Sequence, residues 1–127
     1  MVEAEQMYQR ALSGKEKVVG PDHPSTLQTV GNLGNLFFQR GKMVEAEQMY
    51  QRALLGKEKV LRPDHPSTLY TVGNLGKLFS RQGKMVEAEQ MYERSLKGYA
   101  KAFGSEHSNA VHIAHKLHEL RSKGPLS

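Results

Sequence analysis

The eight residues Met-Val-Glu-Ala-Glu-Gln-Met-Tyr begin at Met1, Met43 and Met85, so the chain repeats itself with a period of 42 residues. The first two units, 1–42 and 43–84, agree at 34 of 42 positions. They differ at Ser13/Leu55, Val19/Leu61, Gly20/Arg62, Gln28/Tyr70, Asn35/Lys77, Phe38/Ser80, Gln39/Arg81 and Arg40/Gln82. The third unit, 85–127, opens the same way and diverges after Phe103. A unit this short cannot bury an apolar face by itself, so the copies must stack on one another in a quasi-linear array. One repeat array over 1–127 is the expected domain organisation.

Within each unit the apolar spacing is helical. Ala4, Met7, Tyr8, Ala11, Leu12, Val18 and Val19 follow the i, i+3, i+4, i+7 rule of an amphipathic helix. Gly20-Pro21-Asp22-His23-Pro24 interrupts it, as Arg62-Pro63-Asp64-His65-Pro66 does in the second unit. Proline restrains the residue before it and is tolerated at a first helical position, so a second helix starts near Pro24 and stops at Gly41. Six helices are predicted, at about 2–19, 24–40, 43–61, 66–82, 85–103 and 107–122, with no strand. Complete hairpins fall at about 21–62 and 63–104, and 107–122 reads as a terminal capping helix.

Asn32-Leu33-Gly34 followed by Phe37, Gly41, Ala46, Tyr50 and Ala53 resembles the tetratricopeptide repeat (TPR). Asn74-Leu75-Gly76, Phe79, Gly83, Ala88 and Tyr92 match again, with Ser95 in the last place. The period and the Pro-Asp-His-Pro linker resemble the kinesin-light-chain-like subclass, which also occurs in arrays of STAND-type receptors. Val30 and Val72 stand where the family often carries Trp. The resemblance implies an all-α, right-handed solenoid of antiparallel helix hairpins that binds a peptide or partner protein in a concave groove. The family's carboxylate-clamp variant needs Lys where Gly31 and Gly73 stand, so the resemblance does not extend to that mode.

The residues themselves suggest which face would do this. At 100° per residue, Asn32, Asn35 and Gln39 fall within about 40° of Gln28, opposite Leu27, Val30, Leu33, Gly34 and Phe37. In the second unit the stripe reads Tyr70, Asn74, Lys77, Arg81. Three of its four positions are among the eight that differ, whereas the apolar set is unchanged. These eight residues are the candidate partner-binding surface. The resemblance implies that Asn32 and Asn74 hold a ligand's backbone. The second unit carries most of the net charge of +5, so an acidic or aromatic-acidic peptide suits it.

Other motifs imitate chemistry. Gly31-Asn32-Leu33-Gly34 and its copy at 73–76 lie mid-helix with no preceding strand, so they are read as sites of close helix approach rather than phosphate loops. Asp22-His23 and Asp64-His65 recur in linkers without a nucleophile, and the aspartates are expected to serve the helix N-termini. In the last helix His112, His115 and Glu119 are spaced to ligate Zn²⁺ or Ni²⁺ from a solvent-facing side, while Ala110, Ile113, Ala114, Leu117 and Leu120 form the buried stripe. That metal site is a distant third reading, and no cofactor or catalysis is expected.

The chain has no Cys, hence no disulfide, thiolate site or cysteine nucleophile, and no apolar run long enough to span a membrane. Basic residues are interspersed with Glu, which argues against nucleic acid. A cytoplasmic, non-catalytic interaction module is the leading expectation. The rival is a self-assembling element. Helix 2–19 reads as the second helix of a hairpin without its first, and should expose Met7, Tyr8, Ala11 and Leu12, driving homo-oligomerisation through open repeat ends. The tail 122–127 departs from the pattern and reads as the end of the array.

Overall fold

The computed structural model describes residues 2–123; the expected array end at 124–127 lies outside the described residues. Six helices follow one another among the described residues: α1 (Val2–Val18), α2 (Pro24–Gln39), α3 (Met43–Val60), α4 (Pro66–Arg81), α5 (Met85–Phe103) and α6 (Ser108–Ser122). No strand occurs among the described residues. None of the described helices is long and apolar enough to cross a membrane. The chain forms two compact units, Met1–Arg62 and Pro63–Ser127. In the first, α2 packs on both α1 and α3; in the second, α5 packs on both α4 and α6.

The starts of α2, α4 and α6 are alike and differ from the expectation in one respect. The N-cap is the histidine, not the aspartate. Nδ1 of His23 accepts the Ser25 backbone N–H at 3.1 Å, Nδ1 of His65 that of Ser67 at 3.0 Å, and Nδ1 of His107 that of Asn109 at 3.2 Å. Pro24 and Pro66 follow at the first helical position, where the missing N–H costs nothing. The aspartate is displaced because the proline fixes the histidine as the last extended residue, with φ near −64° and ψ near 140° at His23. Asp22 instead approaches Lys59 at 3.7 Å.

The ends of α2 and α4 close as expected. Gly41 has φ of +77°, and the Lys42 N–H reaches Phe37 O at 2.8 Å while the Gly41 N–H reaches Phe38 O at 3.0 Å. This is the Schellman arrangement, which needs a left-handed residue. The lysine just beyond then stands over a buried ring, Lys42 Nζ 5.9 Å from the Phe37 centroid and Lys84 Nζ 5.8 Å from that of Phe79.

The core of each unit is the unchanged apolar set. Leu27, Val30, Leu33 and Phe37 of α2 are buried with Ala46, Tyr50 and Ala53 of α3; Leu69, Val72, Leu75 and Phe79 of α4 with Ala88 and Tyr92 of α5. The glycines divide. A Cβ on Gly34 would lie 2.7 Å from Tyr50 Cε1, and one on Gly76 would lie 2.8 Å from Tyr92 Cδ1, so these two are the close-approach sites. Gly31 faces open space, and a Cβ on Gly73 would make only ordinary contact, 3.5 Å from Ile113 Cδ1. For those two the close-approach expectation is corrected. Ala114 is corrected too: it is exposed, and α6 buries only Ala110, Ile113, Leu117 and Leu120.

The contrast within one helix gives a direct test. Gly31→Ala should raise stability by about 0.5–1 kcal/mol, the helix-propensity gain. Gly34→Ala should lower it by about 1–3 kcal/mol, because Tyr50 must move. Urea melts of both variants measure the opposite signs. His65→Ala should cost about 1 kcal/mol and His65→Asn should recover most of it, since the asparagine oxygen can accept the same N–H.

Candidate functional site

The spacing of 4, 3 and 4 residues sets Gln28, Asn32, Asn35 and Gln39 along one side of α2, away from the core residues Leu27, Val30, Leu33 and Phe37. Gln28 and Gln39 are exposed, and Asn32 and Asn35 are half-buried. Asn35 is tied to the packing face, because its Oδ1 accepts the Tyr50 hydroxyl at 2.6 Å. It thereby braces α2 against α3.

In the second unit, Tyr70, Lys77 and Arg81 are exposed and Asn74 is half-buried. Tyr70, Asn74 and Lys77 form one wall of a cleft of about 190 Å³. Its floor is made by Tyr92, Ser95 and Tyr99 of α5 with Leu69, Gly73 and Ile113. The opposite wall comes from α6, as Asn109, His112 and Lys116. Arg81 lies beyond the cleft lining. The floor is held by side-chain hydroxyls that donate to the start of α4: Ser95 Oγ to Leu69 O at 3.3 Å and Tyr99 Oη to Pro66 O at 3.5 Å.

Sequence reasoning missed the α6 wall, although the period contains it. One repeat after Tyr70 and Asn74 stand His112 and Lys116. His112 is therefore a stripe residue of the third unit. His115 Nε2 lies 3.5 Å from Glu119 Oε1, an exposed pair, while His112 faces the cleft. Among the described residues no group of three His, Asp or Glu side chains could hold a metal ion. The trio is not assembled, because His115 and Glu119 pair with each other while His112 faces the cleft.

Two floor tyrosines are shifted. Burial raises the Tyr92 phenol above its ordinary value of 10.0, and the Glu119 carboxylate adds to the rise. Burial does the same to Tyr99, with Tyr70 contributing. The unfolded chain ionises first as pH rises, so stability is intact below about pH 10 and is lost as pH climbs through the raised values. Thermal melts should show a falling midpoint above that pH, with a shallower fall for Tyr92→Phe.

At the open side of the first unit, α1 differs from Val44–Val60 of α3 only by Ser13 for Leu55. Yet its face is uncovered. Met7 is 68% and Val18 83% exposed, Ala11 is exposed and Tyr8 half-buried. Gly14 has nothing near its Cβ position, where the matching Gly56 is packed against Leu27. Leu12 corrects the expectation: it is buried, at 9% exposure, because it lies well round α1 from Met7 and Val18. Ion pairs from Glu5 to Arg40 at 2.6 Å and from Glu16 to Arg52 hold α1 to the rest of its unit.

A sequence model of the tetratricopeptide repeat matches residues 1–54 and again 27–101. Two crystal structures of a Podosopora anserina protein, named as a putative kinesin light chain with nearly identical TPR-like repeats, superpose with TM-scores of 0.85 and 0.84. The second of them is of a form carrying a point substitution. Each is 25% identical and covers 93% of this chain and 56% of that one. The crystal structure of BtubC (BKLC) from P. vanneervenii superposes with a TM-score of 0.72 at 19% identity, over 97% of this chain and 57% of that one, and shares the fold alone. The chain thus spans a little over half the length of these solved structures. No curated protein matches it.

Proposed function

Because the chain belongs to the tetratricopeptide repeat family, whose repeats generally mediate protein–protein interaction, we propose that it is a non-catalytic module binding a peptide or partner segment, with the polar stripe of α2 as the candidate surface of the first unit and that of α4 as the candidate surface of the second. The observation that carries this reading is the cleft: Tyr70, Asn74 and Lys77, on the stripe that varies between near-identical repeats, line one wall of a concavity in the second unit. Packing holds the inner faces constant, so a binding function can be tuned on the stripe without disturbing the fold. The charge excess of the second repeat favours an acidic or aromatic-acidic segment and speeds its encounter more than it strengthens the final complex. Gln28, Asn32, Asn35 and Gln39 contribute amides, which suit backbone contacts. A cytoplasmic setting belongs to this reading and agrees with the cysteine-free sequence.

Combining Tyr70→Ala, Lys77→Ala and Arg81→Ala should weaken partner binding by at least about tenfold, or ~1.4 kcal/mol. The melting temperature should stay within the scatter of surface substitutions. Isothermal titration of the captured partner against the full chain measures the first, and a thermal melt the second. Undiminished affinity would place binding elsewhere.

A second reading is supported by α1. Tyr8, Ala11 and Gly14 correspond by one period to Tyr50, Ala53 and Gly56, which α3 buries, yet on α1 Ala11 is exposed and Gly14 faces open space. Met7 and Val18 extend the uncovered row. Apolar stripes of this kind mark interfaces. In this reading chains self-associate through α1, and Met7→Lys with Ala11→Lys reduces the assembly. Light scattering across a concentration series decides: a mass held at 14.3 kDa throughout removes self-association, and a small multiple of it that falls back in the double variant supports it.

A further inference from the structure

We propose that the open face of α1 is a docking site for a single helix of another molecule, one built on the α2 pattern, with leucine, valine, glycine, asparagine and phenylalanine spaced as Leu27, Val30, Gly34, Asn35 and Phe37. This surface is distinct from the polar stripes.

The molecule itself shows what covers such a face. From Val2 to Val18, α1 repeats Val44–Val60 of α3 except at Ser13, and that position is exposed in both helices, off the covered side. Over α3 lies α2. A Cβ on Gly34 would meet Tyr50 Cε1 at 2.7 Å and Met49 Cβ at 3.3 Å, the Leu27 side chain fills the space over Gly56, and the Tyr50 hydroxyl donates to Asn35 Oδ1 at 2.6 Å. The second unit repeats the fit, with Gly76 against Tyr92 and Leu69 over Gly98. On α1 the receiving groups are Met7, Tyr8, Ala11 and Gly14, in the same order. Tyr50, Ala53 and Gly56 are buried, whereas Met7 is 68% exposed and nothing lies near the Cβ position of Gly14. Identical side chains on the same kind of helix present the same ridges and grooves and so accept the same partner. The face is also held in place before anything docks. Leu12 is buried on the other side of α1, and Glu5 and Glu16 pair with Arg40 and Arg52, so little ordering is left for binding to supply.

The other helices of the chain do not offer the fitting surface. In their own units α2 and α4 are already covered by α3 and α5. The outer row of α6 reads Val111, Ala114, His118 and Arg121 where that of α2 reads Leu27, Val30, Gly34 and Phe37. His118 puts a side chain where the tyrosine ring has to lie, and Arg121 is engaged by Glu89 at 2.9 Å. The polar outer row of α6 is that of a terminal cap, and it cannot seat α1 of a second copy at the hairpin spacing. Pairing of two copies α1 to α1 is the competing occupant.

The test titrates the full chain into a fluorescein-labelled peptide with the sequence of residues 21–42 and follows anisotropy. Wild type should bind it, and circular dichroism should gain helical signal, because a free helix of this length is marginal in water. The same peptide carrying Gly34→Leu, and a peptide of residues 105–123, should bind at least about tenfold more weakly. Gly14→Leu in the chain fills the slot meant for the peptide's leucine and should cost as much. It does not threaten folding, since Gly14 faces open space and leucine is the better helix former. Leu55→Ser, on the exposed side of α3, should leave binding unchanged. Binding that survives Gly14→Leu, equal binding of the three peptides, or no binding to wild type would overturn the proposal. So would a light-scattering mass at a multiple of 14.3 kDa that the peptide does not lower, because α1 would then belong to a second copy.

Discussion

Tyr50 occupies the space in which Gly34 would carry a side chain, and Tyr92 does the same at Gly76. This contact sets how near the two helices of each hairpin come. Everything outward of it depends on that spacing. Tyr50 continues past Gly34 to donate its hydroxyl to Asn35, so the same ring that fills the hairpin interface also positions a polar residue of the stripe. A second close fit lies further along the same hairpins, where Gly56 and Gly98 accept the side chains of Leu27 and Leu69. Each hairpin is therefore locked twice, once by a ring over a glycine on one helix and once by a leucine over a glycine on the other.

That lock separates structure from recognition. Leu27, Val30, Leu33 and Phe37 are constrained by packing density, and a change there opens a cavity or forces strain. Gln28 and Gln39 point away from it and can change at little energetic risk. The third repeat shows the same division at the far end. At the position of Gly34 and Gly76 it has His118, which is exposed, and the face of α6 bearing His118, Val111 and Ala114 is uncovered. The stripe residues His112 and Lys116 remain on the cleft side.

Much of this is legible in the sequence because it is periodic. Helix boundaries from Pro24 and Pro66, and from the glycines at 41 and 83, agree with the structure to within about a residue. Proline and a left-handed glycine act locally and need no knowledge of tertiary contacts. The inner face of α2 is legible for a related reason, since 3.6-residue spacing and burial are one fact seen twice. What the sequence hides has a different cause. Gly31 and Gly34 look alike in a sequence, but only the second faces Tyr50, and residue type cannot report on a neighbour. The choice of His23 over Asp22 as cap depends on which residue the proline leaves extended. Leu12 sits beside Met7, Tyr8 and Ala11 in the chain, yet it turns toward the rest of its unit. The α6 wall emerges when His112 is compared with Tyr70 one period earlier, and stays hidden when it is compared with His115 and Glu119 beside it.

If the face carrying Tyr70, Asn74 and Lys77, with its α6 counterpart, is where a partner sits, the most direct measurement is an amide NMR titration of the isotopically labelled full chain with a tyrosine- and aspartate-bearing peptide. Perturbed signals should cluster at residues 70–77 and 109–116 and leave the exposed outer residues of α3, such as Val44 and Leu55, unmoved. Shifts centred on Val44 and Leu55, or on α1 alone, would contradict it.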